Sequence, residues 1–379
     1  VENAVRAEVG GQPGGSRASA QWLRRALPAT VSEQGVVGEA GLPAVMIGVS
    51  GERGPRRDED VRAARLEEFG RATLRAIAAI DGAGPSDDER AAAEPAFSGG
   101  PQGIVTLRNV LPDWAVRLLV GTLLLPALLT ALDGFFRVRR RRLGVGPWLG
   151  WLAATGLPVL LAWAWTRLMG LAGALEAPAA PVLPPPPVET AGAVALGSVA
   201  LVLAVGWFGV RPLLLARLGT RGSPAAGSLA AATGAVLCSL AAAVWVVNPY
   251  AAALLLPAAH LWLFAAAPGT RLRGWAGVAA LVAGLVPPAL VALHYAQAFR
   301  LGPLELVWTA VLGAASGQLS LAFAVAVAAL LACLAGLICV MRTRRRAQAH
   351  VPPEPLRTRG PATYAGPGSL GGTESALRR

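Results

Sequence analysis

The sequence contains no lysine, only three cysteines and only three histidines. Charge is also scarce: 15% of the 379 residues are charged, whereas a typical soluble domain has about 25%. Cys238, Cys333 and Cys339 all lie in apolar runs, which excludes a disulfide framework and a cysteine-based zinc site. No histidine precedes His260, so the first 113 residues contain none for Ser-His-Asp catalysis.

Arginine supplies all 34 basic residues, and with 22 acidic residues the net charge is +12. This charge is unevenly placed. Residues 1–113 hold 13 arginines and 16 acidic residues, net −3, whereas residues 114–379 hold 21 and 6, net +15. Because the chain is 54% hydrophobic with a mean hydropathy of +0.52, the positive charge does not indicate a nucleic-acid partner. It indicates an acidic extramembrane part followed by a basic part in a lipid bilayer.

Seven apolar runs are long enough to cross a bilayer, which takes about 20 residues each. Proline in Asn248-Pro249-Tyr250 predicts a tight turn between the fourth and fifth runs, since it cannot continue a hydrogen-bonded helix. Residues 303–341 are too long for one span and could hold two, with Gly317-Gln318 as the break. Because two spans would place Arg342–Arg346 outside, we predict a short interfacial or re-entrant helix near 303–316 followed by one span. The predicted spans are 114–132, 148–170, 191–210, 225–247, 251–267, 276–297 and 318–341.

Arginines cluster in alternate loops, which predicts the direction of insertion, because cytoplasmic loops carry the excess positive charge. We expect the N-terminus outside and the C-terminus in the cytoplasm. The all-arginine, Ala/Gly/Leu-rich composition is typical of a high-GC bacterium, which favours a plasma membrane. The clusters follow spans one, three, five and seven, and are Arg137, Arg139, Arg140, Arg141 and Arg142; Arg211, Arg217 and Arg221; Arg271 and Arg273; and Arg342, Arg344, Arg345 and Arg346.

The N-terminal part has fewer periodic segments. We predict a short helix at 20–27, a buried strand at 41–49, and an amphipathic helix over Asp58–Ile80 with Asp58, Glu59 and Asp60 at its N-terminal end. Its inward face is predicted to hold Val61, Leu66, Phe69, Leu74, Ile77 and Ile80.

These elements predict four regions. They are a partial α/β domain over 1–81, a linker with an edge strand at Ile104–Val110 over 82–113, a transmembrane bundle over 114–341, and a disordered arginine-rich tail over 342–379. The fold class is therefore an α-helical polytopic membrane protein with a partial α/β extracytoplasmic domain. One strand and one helix bury too little surface for a core, so we expect further strands upstream of Val1.

Residues 31–81 resemble the C-terminal end of the M28 zinc peptidase family. In that family a Ser-Asp-His motif precedes a Gly-Ile-Pro-Ala strand, and a loop with a His-x-Pro…Asp pattern leads into the closing helix. The same order is found here in Ser32-Glu33-Gln34, Gly41-Leu42-Pro43-Ala44, Arg53-Gly54-Pro55 and Asp58.

The resemblance implies the end of the peptidase fold with its metal site lost. Arg53 stands where the family has its last zinc-binding histidine, and Gln34 stands where the first motif has histidine. A guanidinium cannot bind zinc, so no catalytic or metal-binding residue is predicted in this chain. Zinc would be a cofactor only if residues upstream of Val1 supplied the ligands. The layout is similar to that of the endoplasmic reticulum metallopeptidases and of the peptidase-like subunit of GPI transamidase, which is considered non-catalytic.

Three functional hypotheses follow. The leading one is a membrane protein whose external domain is non-catalytic and binds a peptide or protein partner or serves in assembly. The second is an active membrane-anchored zinc aminopeptidase. The third is a transporter or lipid-handling bundle, for which the Arg137–Arg142 cluster would hold anionic headgroups, although we interpret that cluster first as an orientation signal.

Polar residues inside the apolar runs are functional candidates by default, and these are His260, His294 and Asn248. The structural interpretation is that His260 hydrogen-bonds a neighbouring helix and that His294 lies at the membrane interface. Arg117 and Arg167 lie near the external ends of spans, where we expect their side chains to snorkel towards water.

Overall fold

The computed structural model describes residues 8, 18–27, 60, 62–82, 103–105, 110–175, 188–220, 226–267, 270 and 275–349. The strand predicted at 41–49, the Pro-rich loop before residue 188 and the tail beyond 349 lie outside these residues. The first described elements are helices α1 (Ala18–Ala26) and α2 (Ala63–Gly82) and strands β1 (Gly103–Val105) and β2 (Val110–Pro112).

Seven described helices are long and apolar enough to cross a membrane, which confirms the prediction of an α-helical polytopic membrane protein. Large apolar side chains remain exposed along these helices, which is rare for a soluble protein and is expected against lipid. The spanning helices are α3 (Asp113–Arg140), α4 (Gly146–Leu171), α5 (Thr190–Arg217), α6 (Ala226–Val247), α7 (Pro249–Ala266), α8 (Trp275–Ala298) and α10 (Leu321–Ala349); the shorter α9 (Pro303–Ser316) precedes the last.

Helix α6 is the centre of the bundle, packing against α3, α4, α7 and α10. Small residues allow these helices to approach closely. A Cβ on Gly336 of α10 would lie only 2.7 Å from the Thr233 hydroxyl of α6, so a larger residue would not fit there without a shift. In contrast, α5 packs mainly along α4, and α8 along α7. The core is thus built around a helix rich in alanine, which is how helices without a hydrophobic driving force between them pack in lipid.

Several arginine-rich segments predicted as loop or tail are helical. α3 continues to Arg140, α5 continues through Arg211 to Arg217, and α10 continues to Ala349. The loop or tail assignment is therefore wrong for the helical arginines on α3, α5 and α10, whereas Arg141 and Arg142 lie in the turn after α3 as predicted. Arginine is a good helix former, and its charge is favourable at a helix C-terminus, so a positive cluster extends such a helix rather than ending it.

The short helix α9 confirms the predicted interruption before the last span. It ends at Ser316, and Gly317 follows with φ of +92°, the left-handed conformation that favours glycine after a helix. Trp163 of α4 donates to the Leu319 carbonyl at 2.9 Å, and Gly170 lies directly against the Ala315 carbonyl. α9 is therefore held against the C-terminal end of α4.

Arginine side chains bind the carbonyls at the ends of neighbouring helices. Arg117 of α3 donates to the Val246 carbonyl of α6 at 3.1 Å, and Arg167 of α4 donates to Ala315 of α9 at 2.6 Å. Arg344 of α10 donates to three carbonyls at the end of α7, at 2.6 to 3.2 Å. Each guanidinium thus satisfies carbonyls that have no partner within their own helix. Arg117 and Arg167 are thus directed towards the ends of neighbouring helices, and their snorkelling towards water stays a prediction.

Two predictions for the N-terminal part need correction. The edge strand at 104–110 is a hairpin, in which β1 and β2 pair antiparallel. α2 begins at Ala63, and Asp60 precedes it. Its predicted inward residues Leu66, Leu74 and Ile77 are exposed, whereas Ala72 and Ala76 are buried. Phe69, which is three and seven residues from these alanines and so lies on the same face, is partly buried. Arg71 and Arg75 on this helix both pair with Glu8.

The contact between α4 and α9 makes Gly170→Ala a direct test. A Cβ at position 170 would collide with backbone atoms of Ala315, which cannot rotate away, so we expect a loss of about 1–3 kcal/mol in the free energy of unfolding. Gly197→Ala in α5 is the matched control, because a Cβ there meets nothing within 4 Å. Thermal unfolding in lipid nanodiscs measures both. Equal midpoints for the two variants would contradict the close contact of α4 with α9.

Candidate functional site

Helix α1 lies across one end of the bundle and contacts α7 and α8. Trp22 packs edge-on against the Tyr250 ring, with 5.1 Å between ring centroids, and its indole N–H donates to the Tyr250 carbonyl at 3.2 Å. Trp22 therefore uses both its apolar body and its polar N–H at this contact. We call this end of the bundle the α1 end, and the opposite end, where α3, α5, α7 and α10 finish, the arginine end.

Asn248 joins α1 to the start of α7. Its side-chain oxygen accepts from the Ala251 N–H at 3.1 Å and so caps α7. Its amide nitrogen donates to the Arg25 carbonyl at 2.7 Å and the Ala26 carbonyl at 3.4 Å. One side chain thus satisfies the N-terminus of α7 and the C-terminus of α1. The predicted tight turn at Asn248 is confirmed, and its side chain has a structural role in the interface.

A charged group lies beside this cap. The Tyr250 hydroxyl donates to the Asp113 carboxylate at the start of α3. Arg25 of α1 lies 3.5 Å from the same carboxylate oxygen, with its guanidinium 5.6 Å from the centre of the Tyr250 ring. The single carboxylate therefore joins α1, α3 and α7. Trp22, Arg25, Asp113, Asn248 and Tyr250 together form what we call the α1 docking site.

Strand β1 also lies at the α1 end, close to α1. Ile104 of β1 is buried in one apolar cluster with Ala26, Val116 and Tyr250, and α1 contacts β1. Beyond α1, the Tyr295 hydroxyl of α8 donates to the Leu27 carbonyl. Both ends of segment 28–102 are therefore fixed at the α1 end, within a few side chains of each other.

The two predicted histidine candidates have different surroundings. His260 is exposed, and its Nδ1 lies 2.9 Å from the Leu256 carbonyl of its own helix. The expected bond to a neighbouring helix is therefore wrong, because the i−4 carbonyl of α7 provides the partner. The Nε2 atom of His294 is buried and has no hydrogen-bond partner among the described residues. The ring centroids of His294 and Tyr295 are 5.4 Å apart, which places His294 beside the hydrogen bond from Tyr295 to the Leu27 carbonyl.

The remaining predicted site residues are separate from the α1 docking site. The motif residues Ser32, Glu33, Gln34, Arg53 and Asp58 lie outside the described part of the chain. Arg137 pairs with Asp133 one turn earlier on α3, and Arg139, Arg140, Arg141 and Arg142 follow it at the arginine end. Within the described ranges, no group of three or more His, Cys, Asp or Glu residues is placed to hold a metal ion.

Sequence reasoning missed most of the α1 docking site. Trp22 and Tyr250 are 228 residues apart, and nothing in a single sequence links positions at that separation. One available signal was Asp113, the acidic residue directly before the first apolar run. A carboxylate at a span end needs a partner, and an arginine in the preceding short helix was a candidate.

The chain was compared with protein-family models, curated proteins and solved structures, and none of the three comparisons gives a match.

Proposed function

We propose that this chain is a multi-pass plasma-membrane protein that holds a non-catalytic, peptidase-like region outside the membrane and uses it for binding or assembly. The observation that carries the proposal is the convergence of α1 and β1 at the α1 end. The intervening segment 28–102 contains the residues that resemble the M28 family. Because both its ends are fixed, this segment is attached to the bundle at two points rather than through one flexible linker.

The orientation in the proposal rests on charge. The described arginine end carries the clusters on α3, α5 and α10, and its acidic residue is Asp133. The described α1 end carries Asp113, Glu189 and Glu305 beside fewer arginines. The positive-inside rule then places the arginine end in the cytoplasm and the α1 end outside. A peptide or protein partner would accordingly be bound outside the cell.

Cysteine labelling in intact cells tests this orientation. Cys238, Cys333 and Cys339 are first replaced by alanine, and Leu183→Cys or Leu143→Cys is then introduced. We expect a membrane-impermeant maleimide to label Leu183→Cys directly and Leu143→Cys only after permeabilisation. Leu183 lies in the sequence between α4 and α5, which end and begin at the α1 end, whereas Leu143 is exposed at the arginine end. The reverse pattern would mean that the bundle is inserted the other way.

Metal analysis of the purified full chain tests the non-catalytic assignment. We expect no stoichiometric zinc and no hydrolysis of aminoacyl p-nitroanilides, because Arg53 and Gln34 stand at positions where the family has histidine and cannot replace it as ligands. A chelator-treated sample of the same preparation is the control. About one zinc per chain, together with chelator-sensitive aminopeptidase activity, would establish the enzyme instead and overturn the proposal.

A further inference from the structure

Arg211 lies within a spanning helix rather than after it. It is six residues before the end of α5, which corresponds to about 9 Å along the helix axis. The preceding residues Gly206–Val210 form a π-helical stretch, and such stretches frequently occur at functional sites. Gly206 at its start lies against Pro158 of α4, where a Cβ would come within 3.0 Å of the proline ring. This contact brings α5 close to α4 just before Arg211.

The Arg211 side chain is held in a defined position. Its Nε donates to the Thr155 hydroxyl at 3.2 Å, and that hydroxyl donates in turn to the Trp151 carbonyl at 2.8 Å. The guanidinium carbon lies 4.7 Å from the centre of the Trp207 ring and 5.3 Å from that of Trp151. Cation–π contacts with two tryptophans stabilise the charge and orient the guanidinium plane.

The two terminal Nη groups of Arg211 remain available. Among the described residues they have no hydrogen-bond acceptor, and Nε makes the bond from this side chain. The sequences of α4, α5 and α10 contain no aspartate or glutamate. A partly buried guanidinium whose four terminal donor hydrogens have no acceptor among the described residues, with no carboxylate on the surrounding helices, is suited to bind an anion from outside the protein.

Further positive charge lies next to Arg211. Cys339 of α10 packs against the apolar cluster that contains Trp151, the ring that Arg211 contacts. Arg342 and Arg346 follow Cys339 at spacings of three and seven residues, which places them on the same face of α10. We call Arg211, Arg342 and Arg346 the basic cluster. Like charges brought together in this way are stabilised by a shared counter-anion.

The chemistry of the basic cluster favours phosphate. The planar guanidinium fork matches two oxygens of a phosphate group and forms paired, charge-assisted bonds with them. The position is also open to lipid rather than enclosed, because Trp207 is 39% exposed and its neighbour Phe208 is 79% exposed. Basic sites between helices at the cytoplasmic side are typical of anionic headgroup binding.

We propose that the basic cluster binds the phosphate of an anionic phospholipid, with Arg211 as the bidentate residue, Trp207 and Trp151 orienting its guanidinium, and Arg342 and Arg346 adding electrostatic attraction. The acyl chains would lie along the exposed apolar surface beside Trp207 and Phe208. This proposal does not depend on the peptidase-like region.

Lipid binding by the purified full chain tests the proposal. The detergent-solubilised protein is titrated with phosphatidylglycerol, phosphatidylcholine or inorganic phosphate, and bound lipid is measured by native mass spectrometry. We expect saturable binding of phosphatidylglycerol, much weaker binding of phosphatidylcholine, and no competition by millimolar inorganic phosphate. Equal binding of the two lipids would overturn the proposal, and so would displacement of lipid by free phosphate, which would indicate a soluble ligand.

Substitutions distinguish specific binding by the Arg211 guanidinium from non-specific attraction by positive charge. Arg211→Met should weaken phosphatidylglycerol binding about tenfold or more, since a paired charged bond is lost. Arg211→Lys retains the charge but not the fork and should also weaken binding. Arg217→Met, at an exposed arginine on the same helix, is the matched control and should change binding by less than about twofold. Equal losses for Arg211→Met and Arg217→Met, or unchanged binding in Arg211→Lys, would contradict a specific role for the guanidinium.

Discussion

Unpaired carbonyl groups at helix ends are the constraint on which this bundle depends. Every α-helix leaves its last four carbonyls without an internal partner, and these groups need donors from another helix or from water. In this chain Arg117, Arg167 and Arg344 reach from one helix to the carbonyl end of another. Each contact also places a positive charge at the negative end of a helix dipole. The same side chain thus satisfies backbone groups and fixes which helices are neighbours.

Because the spans contain almost no carboxylates, their arginine side chains bind backbone carbonyls instead. A guanidinium cannot lose its proton in a protein, so in an apolar bundle it needs either an acid or a set of neutral acceptors. Asp113 provides the acid at the α1 end, where it joins α1, α3 and α7. At the arginine end the end of α7 provides acceptors for Arg344, while Arg211 makes one neutral bond and two aromatic contacts. Its Nη groups, which have no acceptor among the described residues, are the basis of the proposed lipid site.

The sequence predicted the features that depend on local composition. Seven apolar runs gave seven helices, Asn248-Pro249 gave a turn, and Gly317 gave the end of α9, because hydropathy and turn chemistry act over a few residues. The α1 docking site and the helix-end arginines were not predictable in the same way. Their partners lie 77 to 228 residues away, and single-sequence patterns do not encode such pairings. The apolar spacing of α2 also predicted the wrong position for Leu66, Leu74 and Ile77, which are exposed while Ala72 and Ala76 are buried.

The central claim is that guanidinium groups, and not positive charge alone, join the helices. The most direct measurement is the thermal unfolding of Arg344→Lys in lipid nanodiscs, compared with Arg217→Lys at an exposed position of α5. Lysine keeps the charge and the topology signal, but its compact ammonium cannot reach the three carbonyls at the end of α7 in the same geometry. We expect a loss of about 1–3 kcal/mol in the free energy of unfolding for Arg344→Lys and almost none for the control. An unchanged unfolding midpoint in Arg344→Lys would contradict it.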